Sequence, residues 1–133
     1  MTIEKDRVIL QGETISIIFH EEAAYIEVVF QGITHSQEYR VALDVALKLA
    51  KGYEITQWLF DQREMNVHPV DLQWAEKVWV PRSYELLGKA QRQAYVVSQE
   101  VFEQFSAQID QHHKEPEIAI FRETEPAYAW IEL

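Results

Sequence analysis

With 133 residues, 47% of them hydrophobic and 26% charged, the chain is sized for one domain, residues 1–133, around a single core. Having no cysteine, it excludes disulfides, thiolate metal sites and a cysteine nucleophile. Twelve basic against twenty-two acidic residues give a net charge of −10 spread along the chain, which excludes a nucleic-acid duplex and an anionic membrane surface as expected partners, because both attract a basic face.

No apolar run approaches the roughly 18 residues that cross a bilayer, so no integral membrane association is expected. Acidic residues interrupt the opening MTIEKDR where a secretory leader would be apolar, and the expected location is cytoplasmic. No motif asks for a metal or a cofactor.

In chain order, "VIL" and "TISIIFH" read as short strands around the Gly12 turn, and "AYIEVVFQG" as a third across the tight HEEA connection, making an antiparallel hairpin or meander. A helix follows between Gly32 and Gly52, with Thr34 as its N-cap and Gln37 completing a capping box. Strand "TQWLFD" comes next, then a helix with Pro69 and Asp71 in its first turn, strand "QAYVVS", a helix opened by Ser98, strand "EIAIF" and a last helix opened by Thr124. The runs Trp58-Leu59-Phe60 and Tyr95-Val96-Val97 suit strands covered on both faces. The expected fold class is α/β, with a single open mixed β-sheet, antiparallel at its start and then built of parallel β/α units with right-handed crossovers, and about four helices.

The first helix is more apolar than a lone surface helix requires. At about 100° per residue, Tyr39, Ala42, Leu43, Ala46, Leu47 and Ala50 form one stripe for the sheet, and Val41, Val45 and Leu49 form a second beside it. Together they cover roughly 240° of the circumference and leave Gln37, Arg40, Asp44, Lys48 and Lys51 for water. Either a neighbouring helix of the same chain, such as the C-terminal "AYAWIEL", or another molecule covers the second stripe; a two-fold homodimer would bury it against its own copy. In the second helix Leu72, Ala75, Val78 and Trp79 follow a core rhythm. Trp74 falls off it, to cover the connecting segment "PRSYELLGKAQ", a pocket or a partner.

The pieces "FQGITHSQEYRVAL", "WLFDQREMNVHPVDLQWAEKVWVP", "RQAYVVSQEVF" and "IAIFRETEPAYAWIEL", in this order and spacing, resemble the SpoIIAA-like family, STAS-type domains grouped with CRAL-TRIO-like lipid-binding modules. The resemblance implies an open mixed sheet with β/α units, and a branch with many uncharacterised bacterial members. In the family's anti-sigma-factor antagonists, a serine at the start of the helix after the third main strand is phosphorylated to switch partner binding. The corresponding stretch here, Asp61 to His68, has no hydroxyl residue, so that switch has no acceptor at this place.

Asp61, Arg63, Glu64, Asn66 and His68 concentrate polar groups after the central strand, where α/β sheets bind ligands. They are ligand or loop-site candidates, and Asp61, Arg63 and His68 are a candidate acid-base set. The competing structural roles are an Asp61–Arg63 pair and a His68 cap before Pro69. Adjacent His112 and His113 point about 100° apart on a helix and do not share a metal; with Lys114 they suit a helix C-terminus. His20, beside Glu21 and Glu22, reads as a surface turn.

Three functions follow, in order. The first is a non-catalytic STAS-like module working through protein–protein interaction or self-association, with Val41, Val45, Leu49 and Trp74 at the interface and Trp79 nearby. The second is a carrier or sensor of a small apolar ligand, implied by the lipid-binding relatives, with Trp74, Trp79, Tyr84 and Phe102 lining a cavity. The third is an enzyme using Asp61, Arg63 and His68.

Overall fold

The computed structural model describes residues 6–106 and 115–133; His112, His113 and Lys114 lie outside the described residues. Six strands lie side by side in chain order: β1 (Asp6–Gln11), β2 (Ile15–His20), β3 (Tyr25–Thr34), β4 (Gln57–Val67), β5 (Arg92–Val96) and β6 (Glu117–Phe121). The first three are antiparallel, and β3 to β6 run parallel. Helix α1 (Ser36–Tyr53) connects β3 to β4. Helix α2 (Pro69–Trp74), a π-helical turn (Ala75–Trp79) and α3 (Val80–Leu87) form one continuous run between β4 and β5. Helix α4 (Gln99–Ser106) precedes β6, and α5 (Thr124–Ile131) follows it. This is the expected mixed α/β sheet with four helical runs. No helix among the described residues is long and apolar enough to cross a membrane.

Strand alternation sorts the apolar residues into two cores. Ile15, Ile17, Phe19, Ile26, Val28, Phe30, Trp58 and Phe60 face α1 and the α2–α3 run. Tyr25, Leu59, Ala94 and Val96 face the other way and are covered by Ala127 and Ile131 of α5. The run Trp58-Leu59-Phe60 is continuously apolar because β4 is buried on both sides.

Helix α1 buries the stripe expected of it: Tyr39, Ala42, Leu43, Ala46, Leu47 and Ala50. Its ends differ from expectation. The N-cap is His35, without a side-chain cap bond, because Thr34 is still paired with Val67 in the sheet. At the other end the chain leaves the helix at Glu54, in the left-handed region (φ 57°), past Gly52. Ser98 does cap α4, accepting from the Val101 N–H at 3.3 Å, whereas α5 has Thr124 as its first residue and Glu123 in the N-cap position without a side-chain cap bond.

The second helical run also departs from its expected phase. Leu72 and Val78 are 40% and 38% exposed, while Asp71, Trp79 and Ser83 are buried and Trp74 and Ala75 half-buried. The inner positions Asp71, Ala75, Trp79, Ser83 and Leu87 advance by four, and each such step overshoots an ideal helical turn by about 40°. The wide π turn takes up that drift, with the Val80 N–H reaching back to the Ala75 carbonyl. It sits just before Pro81, which has no N–H to give and whose ring would crowd a regular turn. "PRSYELL", expected as a connection, thus continues as helix α3.

Candidate functional site

Strand β4 does not end at Asp61. Glu64 to Val67 pair with Gln31 to Thr34 of β3, after a bulge that gives β4 one extra residue between Asp61 and Glu64. The expected loop of polar candidates is therefore strand. Asp61, 7% exposed, is held by Arg63 through both guanidinium Nε (3.0 Å) and Nη2 (2.8 Å), and also accepts from the Arg63 backbone N–H. The pair and Glu64 border a cleft of about 420 Å³ with Val29, Phe30 and Gln31. Asn66 is exposed and lies opposite Ile33. His68 caps α2, its Nδ1 accepting from the Val70 N–H at 3.1 Å. The structure brings Asp61 and Arg63 together as a mutual pair and gives His68 a separate duty at a helix start.

The aromatic candidates pack within the chain. Trp74 lies edge-on to Tyr39, with the Arg40 guanidinium 5.1 Å from its ring centre. Trp79 is buried against Trp58 and Phe60, and its indole donates to the Leu43 carbonyl at 2.8 Å. Tyr84 is half-buried, and burial pushes its phenol above the ordinary value. Phe102 borders a different cleft, with Phe121, Arg122 and Pro126. Among the described residues, Trp74 and Trp79 pack against the α1 side of the sheet while Phe102 borders its own cleft with β6 and α5.

The polar side of α1, expected to face water, is bonded to the second helical run. Ser36 and Arg40 both donate to Asp71, at 2.6 and 3.1 Å. Asp44 lies 3.5 Å from the Arg82 guanidinium, and Lys51 donates to the Leu86 carbonyl. The opposite flank looks toward β1. Arg7 of β1 donates to the Tyr53 hydroxyl at one end of α1, and at the other Glu38 accepts from the Thr14 backbone at 3.0 Å. Between these ties lie Val41, 53% exposed, and the half-buried Val45 and Leu49, which share a core with Leu10. Helix α5, expected as a possible cover, is on the other face of the sheet.

That other face holds a cluster that sequence reasoning missed. Glu27 of β3 is 3% exposed, and its two oxygens are taken by His20 Nε2 at 2.7 Å and by the Tyr128 hydroxyl of α5, which donates at 2.8 Å. The second ring nitrogen of His20, Nδ1, is 3.1 Å from the Asp6 carboxylate of β1. The imidazole stacks on Tyr25, 4.1 Å between ring centres, and the Tyr25 hydroxyl reaches Glu132. Burial is the largest single influence on His20 and lowers its pKa, but Glu27 and Asp6 together outweigh it and hold the imidazolium above its ordinary value. Burial, and then Glu27, pushes Tyr128 above the usual phenol range. The available signal was Glu27 itself, an acid inside the apolar run "AYIEVVF".

No family model matches the chain, and no curated protein matches it. The architecture does find a counterpart in the crystal structure of an uncharacterized protein of the DUF3478 family, with a SpoIIAA-like fold, from Shewanella loihica PV-4. The likeness covers 94% of this chain and 98% of that one, with a TM-score of 0.61 and 19% identity. The meander, the parallel β/α units and this match together make the fold of the chain SpoIIAA-like.

Proposed function

We propose that the protein is a non-catalytic module that acts by self-association, through the flank of α1 that faces β1. The observation that carries this reading is the Val41, Val45, Leu49 ridge, left half-exposed on a helix whose other sides are committed to the sheet and to α2–α3. A ridge of i, i+4, i+8 residues is symmetric about its middle member. Two antiparallel copies related by a two-fold at Val45 would seat each Val41 against the other copy's Leu49, crossing at about −50° as such ridges prefer. The engagement of Asp61 with Arg63, and of His68 with α2, supports a non-catalytic role, since an acid-base set needs groups free to exchange protons with a substrate.

Sedimentation velocity over a concentration series tests the reading. The wild type is expected to approach a dimer, and Val41→Asp to remain a monomer with unchanged thermal unfolding. A wild-type chain that is monomeric at its highest soluble concentration would remove self-association.

A further inference from the structure

We propose that His20 is a pH-operated clasp: its imidazolium holds β1 and α5 to the sheet, and its discharge loosens both together. The geometry demands the charged ring. Both nitrogens face carboxylates, Nδ1 toward Asp6 and Nε2 toward Glu27, and carboxylates only accept. A neutral imidazole has one N–H and would set a lone pair against one of the two. The imidazolium serves both.

The groups facing the ring come from three directions. Asp6 approaches from β1, Tyr25 and Glu27 from β3, and Tyr128 from α5, its ring 6.3 Å from that of His20. Beyond them stand Glu132 at the Tyr25 hydroxyl, and Arg63, already paired with Asp61. Nearby Glu21 is drawn to Arg7. Among the described residues, His20 is therefore the cation in contact with Glu27.

Loss of its proton has two consequences of different kind. The Asp6 side chain, 39% exposed, can turn to water, so the neutral ring keeps its N–H on Glu27 and the Asp6 tie of β1 is released. Glu27 cannot turn away, being buried within the sheet, and is left as an anion supported by the Tyr128 hydroxyl and a neutral ring. The penalty falls on the junction between α5 and β3. One titration thus reaches an edge strand and the C-terminal helix, on opposite sides of Glu27.

Amide hydrogen exchange between roughly pH 6 and 9, corrected for the intrinsic rate and followed with the His20 ring resonance in the same sample, tests the clasp. A severalfold loss of protection is expected in both β1 and α5, with the midpoint of the His20 titration, while β5 stays protected. His20→Gln keeps an N–H for Glu27 but carries no charge, and should make both responses flat. Tyr128→Phe should flatten the α5 response and leave that of β1. Flat wild-type protection, midpoints that do not follow His20, or a response that persists in His20→Gln would each overturn the proposal; the wild-type profile alone decides if the glutamine variant does not fold.

Discussion

The fully buried carboxylate of Asp71 accepts from the Ser36 hydroxyl at 2.6 Å, tying the first turn of α2 to the first turn of α1. Arg40, one turn along α1, donates to the other oxygen. Asp71→Asn would keep the shape but leave a donor against donors, at an expected cost of about 1–3 kcal/mol in urea unfolding. A cost near zero would mean that the two helices are positioned by their apolar contacts alone.

The same residue should mark the acid side of stability. The Ser36 bond is the largest influence and lowers the Asp71 pKa; burial opposes it, Arg40 reinforces it, and the net value lies below the ordinary 3.8. A depressed folded value gives stabilisation that is complete above the unfolded value and lost as pH falls through the folded one. The stability gap between wild type and Asp71→Asn should therefore hold from neutrality downward and shrink below pH 3.8. A gap that persists through acid unfolding would contradict an ionic role.

Gly12 occupies a place where a side chain would have to displace the Glu38 carboxylate and press on the Ile15 carbonyl. A Cβ there would stand 2.8 Å from Glu38 Oε1 and 3.0 Å from the Ile15 carbonyl. Gly12→Ala should push Glu38 off the Thr14 N–H and lower stability by about 1–3 kcal/mol, measurable by thermal melting. Combining it with Glu38→Ala should cost less than the sum of the two changes, because both break one contact. Strict additivity would place the strain elsewhere.

Arg63→Ala should destabilise more than the paired change Asp61→Asn with Arg63→Ala. The single change leaves Asp61 as a nearly buried anion, whereas the double change removes the charge with its partner. A difference of about 1–2 kcal/mol is expected, at the lower end for such pairs because the arginine reaches solvent. If the double variant proved the weaker fold, the pair would be contributing net stability rather than balancing itself.

The apolar pattern made the sheet-facing side of α1 legible residue by residue, because helical period and burial on a sheet leave one solution for Tyr39 through Ala50. The polar side was misread for an equally physical reason. Arg40, Asp44 and Lys51 look the same in sequence whether they meet water or a helix 31 or more positions away. Strand β4 was cut short at Asp61 because a bulge and polar residues imitate a loop. At the His20 cluster, Glu27 was visible as a charge in an apolar strand, but its Tyr128 partner is 101 residues distant and nothing local announces it.

The strand order of the sheet repeats the order of the chain, and from β3 to β5 the two crossovers lay their helices on the same face. Doubly wound sheets hold their ligands where successive crossovers part to opposite faces and open a crevice at the carboxyl edge. Along β3, β4 and β5 the winding never turns back, so there is no such parting between them. The cleft beside Asp61, Arg63 and Glu64 is therefore bordered by the neighbouring strands β3 and β4 rather than by helices splayed to opposite faces of the sheet.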